Sequence, residues 1–378
     1  MQSAKGLPMI KELLRQLQHD VMMWVALAVA LVTMLISRPR LSDVNWQTIA
    51  SLAALMAVVQ VFERLHVLDA LAARLIAPVK HQRQLVQVLL VLAFFSAMLL
   101  TNDVAIITLV PLLVMISEMV GFSAVMPTVL IAMAANLGSL LTPMGNPQNL
   151  FLLTHYHLSL GHFLQLSWPI SVASAILLWG LSWLIPKHQI ERPQSVPVQL
   201  NGRLVSIAGV ATVVILLGIF SLIPLWVMGL VALGLLVLID WRLIVKIDYG
   251  LLLTFIGFFI AVGNLSRAPW IAGGVQQLVH TPLTTYLSAL GLSQFISNVP
   301  ATILLAKFTG QVHALFLGVN VGGLGTLVAS LANLLAYKAY QNRVVKPSGR
   351  YLRVATVLNF GALLVLGLVG WGLLQLAG

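Results

Sequence analysis

Residues 136–149 read Asn136-Leu137-Gly138-Ser139-Leu140-Leu141-Thr142-Pro143-Met144-Gly145-Asn146-Pro147-Gln148-Asn149. Residues 320–333 read Asn320-Val321-Gly322-Gly323-Leu324-Gly325-Thr326-Leu327-Val328-Ala329-Ser330-Leu331-Ala332-Asn333. One constant offset, without a gap, lays the first on the second. Asn136 falls on Asn320, Gly138 on Gly322, Leu140 on Leu324, Thr142 on Thr326 and Asn149 on Asn333. Both runs sit inside long apolar stretches, and both hold too much Gly, Pro and Asn for uninterrupted helix. A shorter polar break precedes each. In the first half it is Thr101-Asn102-Asp103, in the second Ser297-Asn298-Val299-Pro300, and each is followed by an apolar return. Broken apolar segments in corresponding places of two halves point to the central binding site of a transporter. Small residues also serve close helix packing. Packing alone needs no asparagine, which is costly in lipid.

The chain of 378 residues is 60% hydrophobic and 8% charged, against about 25% charged in soluble domains. Several apolar runs reach the roughly 20 residues that span a bilayer. The fold class expected is an all-α polytopic membrane protein made of two inverted-topology repeats, each with a re-entrant hairpin and a broken transmembrane helix. There is no cysteine, which excludes disulfides and thiolate metal sites. No cleavable signal is read at the N-terminus. The net charge of +11 has a simple cause in a membrane protein, the enrichment of Lys and Arg in cytoplasmic loops, and nucleic acid is not expected as a partner.

Working outward gives residues 1–20 as a cytoplasmic amphipathic lead and 21–186 as the first repeat, with a hairpin at 84–119 and a broken helix at 124–156. Each arm of that hairpin is read as about 16 residues, marginally short for a full crossing. A polar cytoplasmic linker follows at 187–203 and an extra span at 204–222. The second repeat covers 225–376, with a hairpin at 283–312 and a broken helix at 314–337. Stretches 63–80 and 268–282 read as helices lying at the interface. With the N-terminus in the cytoplasm, all but Arg38, Arg40, Arg267 and Lys307 of the 21 Lys and Arg residues fall on the cytoplasmic side. That bias fixes the orientation expected. An odd number of crossings then separates the two hairpins, so they enter from opposite faces and their tips meet near the midplane.

A broken helix exposes free N–H groups at one end and free C=O groups at the other. The former favour anions, and the latter, with Asn and Thr oxygens, suit a hard cation. The candidate substrate and ion ligands are Thr101, Asn102, Asp103, Asn136, Gly138, Thr142, Asn146 and Asn149 from the first half. From the second they are Ser297, Asn298, Thr302, Asn320, Gly322, Thr326 and Asn333. A sodium ion is expected near Asn102, Asn136, Asn298 and Asn320. Asp103 breaks the symmetry, because Val299 takes its place in the second tip. It reads as the coupling carboxylate, the competing role being a cap on the helix that follows. Lys307 either pairs with an acid or substrate or snorkels to the outer interface. His155, His157 and His162 cluster at an external turn, where a polar turn is the simpler reading than a metal site. No HExxH, phosphate-binding loop or glycosidase-type carboxylate pair occurs, so no enzyme and no cofactor is expected.

These motifs resemble the ion transporter superfamily over roughly residues 20–376. That group includes divalent-anion/sodium symporters, arsenite permeases, citrate-type permeases and D-type sodium/proton antiporters. The symporters carry Ser-Asn-Thr at the hairpin tips; Asn102, Ser297 and Asn298 match it and Thr101 is conservative, while Asp103 and Val299 depart from it. The Asn102-Asp103 pair and Asn298-Val-Pro-Ala-Thr302 are similar to the arsenite permease branch. The run Thr142-Pro143…Asn146-Pro147-Gln148-Asn149 resembles the symporters' broken-helix motif. The chain is most similar overall to small bacterial anion-permease-like inner-membrane proteins. The resemblance implies a secondary transporter of a small inorganic or carboxylate anion, coupled to Na+ or H+, in the bacterial inner membrane, surrounded by lipid and working as a homodimer by an elevator motion. A sodium/proton antiporter without organic substrate is the alternative.

Overall fold

The computed structural model describes residues 17–18, 20–190, 199–343 and 349–377. Most of the lead at 1–20 and the centre of the linker at 187–203 therefore lie outside the described residues. The described residues form helices and no strand beyond one isolated bridge, His81 with Gln189. Eight helices are long and apolar enough to cross a membrane, and the chain is a multi-pass membrane protein.

The first half runs α1 (Val21–Thr33), α2 (Trp46–Arg64), α3 (Val67–Ile76), α4 (Gln82–Leu100), α5 (Asn102–Val120), α6 (Val125–Gly138), α7 (Pro147–His155) and α8 (Leu160–Ser182). The second runs α9 (Gly202–Ile219), α10 (Leu225–Asp240), α11 (Tyr249–Ser266), α12 (Pro269–Leu278), α13 (Pro282–Ile296), α14 (Asn298–Ala306), α15 (Val312–Gly322), α16 (Leu331–Gln341) and α17 (Arg350–Ala377). Local chemistry sets the starts. Asp20, Asn45, Ser159, Asn201 and Asp248 each accept a first-turn N–H with a side-chain oxygen, satisfying donors that a helix start leaves free. Pro147 and Pro282 stand first in their helices, where a missing N–H costs nothing.

The helix breaks fall where the sequence places them, between α6 and α7 and between α15 and α16. The arms of the first hairpin differ from the expectation. Both α4 and α5 have 19 residues, so each is of spanning length: α4 already starts at Gln82, and α5 takes in the tip residues Asn102 and Asp103. The return arm of the second hairpin, α14, has only 9.

α6 and α15 are buried on nearly every residue, as the central pair of a bundle must be. Each is held by its own hairpin, α4 and α5 on α6, α13 and α14 on α15. The halves then exchange contacts: α5 lies on α16, and α14 lies on α7. α1, α2, α9, α10 and α11 form a second group, in which α1 packs on α11 and α2 on α10. We call the first group the core body and the second the frame. Tight crossings use glycine: a Cβ at Gly138 would overlap the backbone of Phe94, and one at Gly322 would lie 2.9 Å from Ser293 Cβ.

Candidate functional site

The two hairpin tips have the same backbone. Thr101 sits at φ 72°, ψ 154° and Ser297 at φ 73°, ψ 154°, a left-handed region that non-glycine residues rarely occupy. What holds them there is also duplicated. The Asn102 N–H donates to Gly145 O at 3.3 Å, and that of Asn298 to Ala329 O at 3.0 Å. Thr142 Oγ1 donates to Met98 O at 2.5 Å, and Thr326 Oγ1 to Gln294 O at 2.9 Å. Asn149 Nδ2 donates to Ser139 O at 3.2 Å, and Asn333 Nδ2 to Gly323 O at 3.1 Å. Each pair is related by the offsets that align the motifs. Threonine and asparagine recur in both runs because each break leaves backbone groups that a short polar side chain must satisfy.

The halves meet through asparagine. Asn320 Nδ2 donates to Asn149 Oδ1 at 2.9 Å. The mate of that bond, between Asn136 Nδ2 and Asn333 Oδ1, is not made, and both atoms are buried without partner. Ser330 Oγ donates to Asn136 Oδ1 at 3.3 Å instead. A Cβ built on Gly323 would lie 2.9 Å from Nδ2 of both Asn136 and Asn298. Two amide donors thus converge over a glycine, a recess suited to an oxygen of a small ligand.

Of the sequence candidates, Thr101, Asp103 and Asn146 line a cavity of about 450 Å³ between core body and frame. Asn136, Asn149, Asn298, Asn320 and Asn333 form the polar centre behind it. Thr142 and Thr326 tie breaks to hairpins. Asn102, which contributes its backbone N–H to the tip contact, is itself buried, as is Ser297. Gly138 and Gly322 serve helix packing. The Thr302 hydroxyl donates to Asn298 O one turn back, in α14. α5 starts at Asn102, so Asp103 lies inside its first turn, and its Oδ1 is buried without a partner. The histidines at 155, 157 and 162 do not converge, since no group of three metal-capable side chains occurs among the described residues. His155 turns to Ala306 O at 3.3 Å. Lys307 is exposed, with no carboxylate within ion-pair distance among the described residues.

Gln294 was not foreseen. Its Nε2 donates to Gly322 O at 2.8 Å and Leu324 O at 3.0 Å, and its Oε1 accepts the Thr326 N–H at 3.0 Å. Gly325, at φ +103°, leaves room for that side chain. The repeat mate of Gln294 is Met98, which offers no such donor.

The large cavity also reaches Asp20, Glu63, Lys246 and Asp248. Burial raises the Asp248 carboxyl above its ordinary range, and the neighbouring Asp20 adds to this. A second cavity of about 260 Å³ lies between the same two bodies, lined by Asp43, Asn45, Phe151, Phe259, Val262, Ile303 and Lys307 among others. Aligning the capped starts of α2 and α11 pairs Asn45 with Asp248, Asp43 with Lys246, Phe259 with Met56 and Val262 with Val59. The hairpin and break offsets pair Ile303 with Ile107 and Phe151 with Leu335. Every one of these mates lines the large cavity. The two cavities are thus one design in two degrees of opening. The large one reaches the tip at Thr101 and Asp103. The small one is narrowed by Phe151 against Phe259, ring centroids 5.4 Å apart.

Comparison with known proteins matches residues 18–314 to a family described as citrate transporter. The chain is 31% identical over 303 residues to the inner membrane protein YbiR of Escherichia coli, covering 79% of this chain and 81% of that one. It is 29% identical over 360 residues to an uncharacterized transporter of Methanocaldococcus jannaschii, covering 91% and 95%. A putative transporter, arsB, of Dictyostelium discoideum is 29% identical over 137 residues, 36% of this chain and 23% of its own length.

Proposed function

The chain belongs to the citrate transporter family, and on that premise we propose that it is a secondary active transporter. It carries a small inorganic or carboxylate anion across the bacterial inner membrane, coupled to Na+ or H+, with its N-terminus in the cytoplasm. The observation that carries the reading is Asp103: an unpartnered carboxylate oxygen at a strained hairpin tip, opening on the cavity that separates core body from frame. A carboxylate held there without a partner is suited to take up a cation. The amides of Asn136 and Asn298 supply donors for an anionic oxygen. With the Lys and Arg bias setting the orientation, the large cavity faces the cytoplasm and the small one the outside. Sliding the core body along the frame exchanges them, which is alternating access.

Sodium/proton antiport without organic substrate is the second reading. It is favoured by the charge of the large cavity, where Asp20, Glu63, Asp103 and Asp248 stand against Lys246. The test uses proteoliposomes with a lumenal pH dye and clamped membrane potential. A sodium pulse without any anion substrate that raises lumenal pH through Asp103 selects antiport. Uptake of dicarboxylates, citrate, sulfate or arsenite that needs a cation gradient selects the anion reading. Asp103→Asn should abolish coupled transport and leave the protein folded. Unchanged ion dependence in that variant removes Asp103 from the mechanism.

A further inference from the structure

Asp103 rides on the hairpin tip of the core body, whereas Asp248 is fixed in the frame at the start of α11. Both line the large cavity. The repeat mates of these two residues are Val299 and Asn45, and neither carries charge. The path through the small cavity therefore has the same backbone and lacks both carboxylates, and the acid that does line it, Asp43, is paired with Arg267 at 2.9 Å. We propose that Asp248 is a side-specific partner of Asp103, a fixed negative charge that tightens cation binding at the hairpin tip from the large cavity and from that side alone. This rests on the reading of Asp103 as the coupling carboxylate.

The surroundings of Asp248 support it. Asp20, at the start of α1, lies beside it; Glu63, in the last turn of α2, and Lys246, just before α11, share the cavity. Lys246 forms no ion pair among the described residues, so no contact cancels the negative field. Asp248 and Asp20 each commit Oδ1 to a helix start, to Leu251 N at 2.9 Å and to Met23 N at 3.0 Å. That fixes both carboxylates in place. When the core body slides, Asp103 leaves this field, and the opposing position on the other path is Asn45, whose Oδ1 caps α2 through Thr48 N at 3.0 Å. A cation is thus held more tightly on one face of the transport cycle than on the other, with no change in its direct ligands.

Asn45 also supplies the test. Asp248→Asn removes the charge and keeps a good cap, as the repeat mate does; Asp248→Ser is the second variant should Asn fold poorly. Radioactive sodium flux and lumenal pH change would be followed in right-side-out and inverted vesicles, with citrate, sulfate and arsenite supplied together as cargo. Na+ is titrated at fixed pH, then H+ at fixed Na+, on one side at a time. The expected result is a roughly tenfold weaker apparent cation affinity on the large-cavity side, the order of effect of one unit charge acting across a cavity at an effective dielectric near 20. The other side should be unchanged. Equal loss on both sides, or no loss on either, overturns the inference while Asp103→Asn still abolishes coupling. Cation dependence that survives in Asp103→Asn overturns the underlying reading instead.

Discussion

Replacing Gln294 by Met converts the second hairpin to the chemistry of the first, where Met98 holds the equivalent place. The two side chains are similar in length, so no cavity follows. What is lost is polar. Gln294 Nε2 gives two bonds to the second break, to Gly322 O and Leu324 O, and Oε1 accepts the Thr326 N–H. A net bond contributes about 1 kcal/mol, so three amount to about 3 kcal/mol. Partial exposure of the residue lets water replace some of this, which sets the expected loss at about 2 kcal/mol. For a chain of this size that is a melting shift of about 2.5 °C, measurable by tryptophan fluorescence in detergent because nine tryptophans report on the fold. Amide exchange separates this cause from general destabilisation. The Thr326 N–H should exchange faster in the variant, and the Asn149 side of the core should not change. An unaltered melting point together with unaltered exchange at Thr326 would refute the claim that this side chain fastens the second break to its hairpin.

Gly323→Ala places a methyl 2.9 Å from the amide nitrogens of Asn136 and Asn298, and uptake should fall at least tenfold while the protein still purifies as folded; full uptake would remove the recess from the substrate path. The absence of cysteine makes cross-linking clean. Phe151→Cys with Phe259→Cys should cross-link readily and stop transport with the large cavity open, while Met56→Cys with Leu335→Cys should cross-link only during turnover and leave a Cys at Ile107 shielded from thiol reagents. A Met56–Leu335 link that forms at rest, or leaves Ile107→Cys reactive, refutes the exchange of cavities.

The helix breaks were legible because they must be built from residues that helices disfavour. Asn136, Gly138, Thr142 and their mates stand out against an apolar background, and the backbone needs them wherever it leaves a helix inside the bundle. The tips were legible for the same reason. Gln294 was invisible because it lies inside a helical stretch, where one amide among apolar residues carries no pattern; its partners are 28 and 30 residues away in sequence. The return arm of the first hairpin reads short because polar Asn102 and Asp103 look like loop, while α5 begins at Asn102; the entering arm reads short at its other end, where α4 includes the polar Gln82 and Arg83. The cavities were out of reach of a linear reading, since their walls come from the frame and the core body together.

The duplication is close in the backbone and incomplete in the side chains, and the two facts have different consequences. On the proposed alternating-access mechanism, equal tips and equal break contacts would let the core body sit against the frame in two equivalent ways that differ by only a few kcal/mol. A fully symmetric protein would bind its cargo identically from both sides. Here departures lie along the boundary of core body and frame: Asp103 against Val299, Asp248 against Asn45, and Lys307 where the first hairpin has Pro111. One path is negative at its mouth and tip, while the other presents a lysine without an acid partner among the described residues. Cations and anions therefore meet different fields on the two faces, although the hydrogen bonds that build the site are the same. The Asn320–Asn149 bond and its unmade mate carry this asymmetry into the centre of the fold. The amide donor of Asn136 and the amide acceptor of Asn333 stay free at one of the two crossings between the halves, which gives a ligand there a preferred orientation that the symmetric backbone could not supply.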